Sequence, residues 1–203
     1  MNITDKDREQ VAVAISKAES ATSGEIFCVV TRASDDYRFI PLLWAALGAL
    51  VLPALLIVLT TLSAPAIFSA QLACFAALAL ALSWWPLRIR AVPRAIRRQR
   101  AHAHALQQFL AHGLHTTRDR TGVLLFLSLA ERHGEVVADE GIYSKVDPAT
   151  WDEAVAALTS RARKGAIGEA FIAAIEISGT VLAAHFPPKE GDRDELENRL
   201  VEL

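Results

Sequence analysis

Five carboxylates flank three short apolar runs and could hold a cation. Asp35 and Asp36 follow "EIFCVVT" at 25–31, Asp119 precedes "VLLFLSL" at 123–129, and Asp139 and Glu140 close "EVVAD" at 135–139. Oxygen ligands from strand-end loops suit hard cations, so Ca²⁺ or Mg²⁺ is the chemistry these residues could support. Gly141 lets the backbone turn directly after them. If the first two runs are parallel neighbours and the third returns as a hairpin, Asp119, Asp139 and Glu140 meet at one sheet edge. Asp35 and Asp36 then lie at the other, the carboxyl end of the first strand, where open α/β sheets bind ligands. That arrangement gives one small acidic site, not a five-carboxylate cage. The competing reading is a set of solvated loop acids, with Asp35 and Asp36 in a turn.

The other reactive side chains assemble less. His112 and His115 could share a helical face, whereas His102 and His104, two residues apart, would point away from each other. No cysteine or carboxylate completes a zinc set beside them, so exposed histidines on a basic helix are expected. Ser128 and His133 make no triad, and the chain has no G-x-S-x-G elbow, P-loop or dinucleotide glycine pattern. Cys28 and Cys74 fall in a strand-like run and an apolar span, too far apart in character to pair. An enzyme of ordinary type finds no support.

The elements that must position these residues follow from periodicity. Residues 4–21 read as a helix, with Thr4 and Asp7 as a capping box and Val11, Ile15 and Ala18 on one face. Strands are expected over 25–31, 123–129 and 135–139, the last two as an antiparallel hairpin. Helical material between the first two suits a parallel crossover. A basic helix covers 91–112. A further helix starts at Asp147 and Pro148, with Val146 and Trp151 as a hydrophobic staple, and ends at "RKG", 163–165. The last helix spans about 168–185 and stops at "FPP". In the charged tail, Leu196, Leu200 and Leu203 recur at helical spacing. A docked or partner-binding helix, or a mobile solvated tail, is expected there.

The charge distribution sets this apart from an ordinary soluble domain. All 23 acids lie in residues 5–36 and 119–202. Phe39 to Leu87 is a run of 49 residues without any charged or histidine side chain. One straight helix of that length would measure about 74 Å, against a hydrocarbon core about 30 Å thick. "TTLSAP" at 60–65 supplies the break, so two spans are expected at about 40–62 and 66–87, with Pro53 placed to kink the first. Arg88, Arg90, Arg94, Arg97, Arg98 and Arg100 follow the second span, Arg32 and Arg38 precede the first, and the connecting loop is uncharged. Positive residues are retained on the cytoplasmic side, and Trp44, Trp84 and Trp85 fit the aromatic belt there. The expectation is a multi-pass protein of the inner (plasma) membrane with both termini cytoplasmic. The six arginines would serve topology or bind anionic lipid headgroups. A nucleic-acid patch is set aside, because position beside a span explains them without a second partner. "MNITDKDREQ" is too charged for a signal peptide.

At this point the sequence resembles a known family. "TSGEIFCVV", "TGVLLFLSLAERHGEVVADEGI" and "RKGAIGEAFIAAIE" are similar, in order and spacing, to the motifs of TPM domains. Those motifs are T-G-x-E-I with a strand, N-G-V-L-L-L-V-A-L with a strand ending in G-x-G-L-E, and R-x-G-x-x-x-x-G. The resemblance covers most of 1–36 and about 100–186. It implies an α/β/α sandwich attached to a membrane. It also implies one of several roles: acid phosphatase, calcium binding, repair and assembly of membrane complexes such as photosystem II, or service as an auxiliary subunit of receptors. There are departures. N-N-G appears as Arg120-Thr121-Gly122. In G-x-G-L-E the first glycine is Asp139, the second is Gly141, and the glutamate is Tyr143.

The expected fold is therefore α/β, a three-layer α/β/α sandwich with a small mixed sheet, interrupted by an inserted two-helix transmembrane hairpin. The segments are 1–38, the hairpin 39–87, 88–186 and the tail 187–203. The expected function is a non-enzymatic assembly or maintenance factor, with the lipid bilayer and other membrane proteins as partners. A metal-dependent phosphatase is the alternative.

Overall fold

A computed structural model describes residues 3–188 and 195–203. The described residues form a mixed α/β structure with eight α-helices and a four-stranded mixed sheet, and the chain divides into two compact units, Met1–Ser34 with Arg98–Leu203, and Asp35–Arg97.

The sheet organises the first unit. Strand β1, Glu25–Thr31, pairs in parallel with β2, Gly122–Ser128, from Glu25 beside Gly122 to Thr31 beside Ser128. Strand β3, His133–Ala138, returns antiparallel to β2. Every residue of β1 and β2 is buried, as continuous apolar runs require when both faces are covered. The two faces separate by alternation. Ile26, Cys28, Val30, Val123, Leu125 and Leu127 enter one apolar cluster, and Phe27, Val29, Leu124 and Phe126 enter another.

The tail differs from its expectation. Residues 200–202 form a fourth strand, β4, parallel to β1, with Cys28 beside Leu200, and the sheet order is β3-β2-β1-β4. The spacing of Leu196, Leu200 and Leu203 suggested a helix, but Leu200 fills the first cluster while Leu196 packs against the second. Pairing with the free edge of β1 satisfies backbone groups that a detached tail would leave to water. Residues 189–194 of the tail lie outside the described residues.

Helix α1, Asp5–Glu19, opens on the expected capping box. The Thr4 hydroxyl accepts from the Asp7 N–H, and the Asp7 carboxylate accepts from the Thr4 N–H at 2.8 Å. Helices α7, Asp152–Ala162, and α8, Ile167–His185, send Ala154, Leu158, Phe171, Ala174, Ile175 and Leu182 into the first cluster with Val11 and Ile15 of α1. Asp147 caps a short 3-10 turn, Pro148–Trp151, before α7 begins, so the α-helix starts later than the capping signal suggested. On the other cluster, Ala101, Ala105 and Phe109 recur every four residues along α5, Arg94–Ala111.

The second unit contains α2, Phe39–Leu59, α3, Ala64–Ser83, and α4, Trp85–Ala91. Pro53 lies inside α2. Gly48 lets α2 approach α3 closely, because a Cβ there would stand 2.9 Å from Leu78 Cδ1. The expected second span ran unbroken to 87. Instead the helix stops at Ser83, Trp84 takes an extended backbone (φ −68, ψ 124), and α4 restarts with Pro86 in its first turn. Proline has no N–H to continue the ladder and is tolerated only near a helix start. The indole N–H of Trp44 donates to the Ala91 carbonyl at 3.0 Å.

Candidate functional site

At the edge where β2 begins and β3 ends, the backbone of Asp119 and Arg120 packs against Gly141, beside Asp139 and Glu140. Asp139 follows the last residue of β3, and its N–H donates to the Gly122 carbonyl at 2.9 Å. Its side chain, 6% exposed, caps the short helix α6, Glu140–Tyr143: Oδ1 accepts from the Glu140 N–H at 2.7 Å. Gly141 comes so close to the loop before β2 that a Cβ would lie 2.5 Å from the Arg120 carbonyl oxygen and 2.8 Å from that of Asp119. Only glycine fits this approach.

Arg120 changes what this edge can do. Its backbone is left-handed, φ 57, a region costly for a residue with a long side chain. That turn brings the guanidinium over both acids. Arg120 Nε stands 3.3 Å from Asp139 Oδ2, and Nη2 donates to Glu140 Oε2 at 3.3 Å. The loop itself is tied down. The Thr121 N–H donates to the Thr117 hydroxyl at 3.1 Å, and the Thr121 hydroxyl donates to the Ser23 carbonyl at 2.9 Å. Arg118 N–H donates to Glu195, whose own N–H donates to Glu25, so the start of the described tail is fastened to the same edge.

These residues do not fit a bare divalent cation as they stand. A fixed positive charge already faces both carboxylates, and one oxygen of Asp139 is used as a helix cap. Among the described residues no group of three His, Cys, Asp or Glu side chains is arranged to hold a metal ion. Asp35 and Asp36 belong to the second unit and form a turn. Asp35 Oδ1 accepts from the Tyr37 N–H at 3.1 Å, and Asp36 Oδ2 lies 3.0 Å from Arg38 Nη2.

The histidines separate by environment. α5 ends at Ala111 and Gly113 turns left-handed at φ 72, so His115 lies in a following 3-10 turn and does not share a helical face with His112. The His112 ring lies 4.5 Å from that of Phe27 and the His104 ring 5.7 Å from that of Phe126. Burial pulls both imidazoles below their ordinary range, and Arg199 adds to the effect at His112. His102 points outward to a contact the sequence did not reveal. Its Nδ1 meets Glu135 Oε1 at 2.5 Å, and His133 Nε2 meets Glu135 Oε2 at 3.0 Å. Burial alone would raise the Glu135 carboxyl, but hydrogen bonds from His133 and His102 outweigh it and hold it below the usual range. His133 and Glu135 alternate on one strand face, which was legible; that α5 would bring His102 to them was not.

Ser128 is fully buried. Its hydroxyl donates to Glu131 and accepts from the Ser34 hydroxyl at 3.0 Å, and the Ser34 N–H donates to Glu131 at 3.1 Å. A carboxylate, not a histidine, accepts its hydrogen bond. Among the six arginines, Arg90, Arg94, Arg98 and Arg100 are exposed. Arg88 donates to the Ser83 carbonyl at 2.6 Å and lies over the Trp85 ring at 5.8 Å.

Residues 85–181 match the family model of the TPM domain. The match takes in α4, α5, β2, β3 and most of α8, and leaves the motif at 22–30 outside. The NMR structure of BA42 protein from the psychrophilic bacterium Bizionia argentinensis has a similar fold, with a TM-score of 0.63 at 19% identity, covering 100% of this chain and 97% of that one. No curated protein matches the sequence.

Proposed function

We propose that this chain, whose residues 85–181 match the TPM domain model, is a membrane-anchored factor that binds other membrane proteins while their complexes are assembled or maintained. The observation that carries this reading is the state of α2 and α3. Both are long and apolar enough to cross a bilayer, and only 11% and 0% of their apolar windows are buried by the protein itself. Exposed apolar surface on this scale needs another medium, and lipid supplies it. In this reading the two helices form a transmembrane hairpin inserted into a three-layer α/β/α domain. The arginines of α4 and α5 hold both termini on the cytoplasmic side of the inner membrane. The domain is thereby kept at the membrane surface, where membrane proteins are its natural partners.

The metal-dependent phosphatase reading ranks below it, because Arg120 faces the carboxylates a catalytic cation would need. Crosslinking in native membranes followed by purification of the full chain tests the proposal. One or more membrane proteins are expected to copurify reproducibly. Recovery of the chain alone, together with metal-dependent release of phosphate from esters, would replace it with the phosphatase.

A further inference from the structure

The sheet has a second end, opposite the acidic edge, where β1 and β2 finish side by side with Thr31 beside Ser128. Carboxyl ends of parallel strands are where open α/β sheets place ligands. A cavity of about 520 Å³ opens there, lined by Ser128, Leu129, Arg132, Thr159, Arg163 and Ile167 among others. Its size suits a small organic molecule.

The charge in this cavity is of one sign. Arg132 sits in the tight turn between β2 and β3 with a left-handed backbone, φ 53, and Arg163 is the C-cap of α7. Both are exposed, and neither forms an ion pair among the described residues. The carboxylate nearest in the chain, Glu131, is buried and engaged by Ser128 and Ser34. The first turn of α8 contributes little, since the Asp7 carboxylate already lies against Gly168. Two guanidiniums, backed by an apolar wall of Leu129 and Ile167, are what the cavity offers.

We infer that this cavity binds a phosphoryl or phosphonyl oxyanion carrying a small apolar group, with Arg132 and Arg163 holding the oxyanion. Guanidinium forks match phosphate oxygens bidentately. A doubly charged head neutralises both arginines, whereas a single carboxylate would leave one charge unmatched. The apolar part rests on Leu129 and Ile167. The inference is independent of the partner-binding reading.

The test uses the full chain in detergent and in nanodiscs, with phenylphosphonate and inorganic phosphate as free probes and phosphatidic acid as the lipid-borne one. Saturable binding is measured by calorimetry for the wild type, Arg132→Gln, Arg163→Gln and the control Arg161→Gln, an exposed arginine of α7 outside the cavity. Each cavity variant is expected to bind about tenfold more weakly or worse, as loss of a charged hydrogen-bond donor implies, and the control to bind normally. Weakening seen with phenylphosphonate assigns a free ligand. Weakening seen only with phosphatidic acid nanodiscs, against phosphatidylcholine ones, assigns a lipid headgroup. No saturable binding of any probe, or binding equally strong in both cavity variants, overturns the inference. Both substitutions are at exposed positions, and unchanged unfolding temperatures would show that the fold is kept.

Discussion

Helix α8 and the pair α2 and α3 have the same credentials for crossing a membrane and opposite surroundings. Mean hydropathy is 1.6 for α8, 2.6 for α2 and 2.0 for α3, yet half of the α8 window is buried by the protein, against 11% and none for the other two. The difference lies in what the exposed side carries. α8 turns Glu169, Glu176 and Thr180 outward while Phe171, Ala174, Ile175 and Leu182 fill the core. α2 and α3 expose Leu43, Leu50, Val51, Val58, Phe68 and Leu72. A helix with two faces finds its apolar partner inside its own domain; a helix apolar all round must find it elsewhere.

This contrast can be broken by a charge. Ala174→Asp puts a carboxylate at a position that is 0% exposed. It should cost about 3–5 kcal/mol, as uncompensated buried charge does, and abolish the cooperative unfolding of the domain followed by circular dichroism. Leu72→Asp in α3 should leave that transition in place and instead reduce the share of protein that stays with membranes after alkaline extraction. Equal loss of the domain transition in both variants would mean that α3 belongs to the folded core.

Smaller changes sharpen the same division. Gly141→Ala drives a Cβ against two carbonyl oxygens and should lower domain stability by about 2–3 kcal/mol in thermal melts. Gly48→Ala, whose Cβ would meet only the movable end of Leu78, should leave the domain transition where it is. Arg120→Asn supplies a residue that tolerates φ 57 but removes the charge facing Asp139 and Glu140, and a loss of about 1–2 kcal/mol is expected. A gain in stability on adding Ca²⁺ or Mg²⁺ to Arg120→Asn, with none in the wild type, would show that the arginine occupies a latent cation site.

The smallest effect is that of pH. The Glu135 carboxyl is held low in the fold, so its contribution is present above the ordinary glutamate range and lost as pH falls through its lower folded value. His104 and His112 are also held low, by burial. The unfolded chain therefore binds their protons first, and stability falls as pH drops below about 6.5. Melting temperature should decline from pH 7 to pH 5, and His104→Phe should flatten part of that slope.

Much of the domain was legible in the sequence because its signals are local. The β1 run, the Thr4–Asp7 capping box and the β2–β3 hairpin each declare themselves within a few residues. β4 did not, since three residues give no readable alternation and the leucines around them mimic a helix. The acidic edge was half legible. Strand directions put Asp119, Asp139 and Glu140 at one end of the sheet, but the role of Arg120 depends on a left-handed turn that no residue type announces. The cavity at the other end was invisible, because Arg132 and Arg163 are 31 residues apart and line one cavity only through the packing of α7 on the sheet.

The proposal that α2 and α3 cross a bilayer with the domain on one side has a direct test. Two cysteine reporters in a Cys74→Ser background test it: Leu62→Cys in the loop between the helices, and Tyr143→Cys on the domain surface, both half exposed. Buried Cys28 stays silent. Treated with a membrane-impermeant maleimide in intact bacterial spheroplasts, Leu62→Cys should react and Tyr143→Cys should react only after lysis. Equal reaction of both positions before lysis would contradict the account.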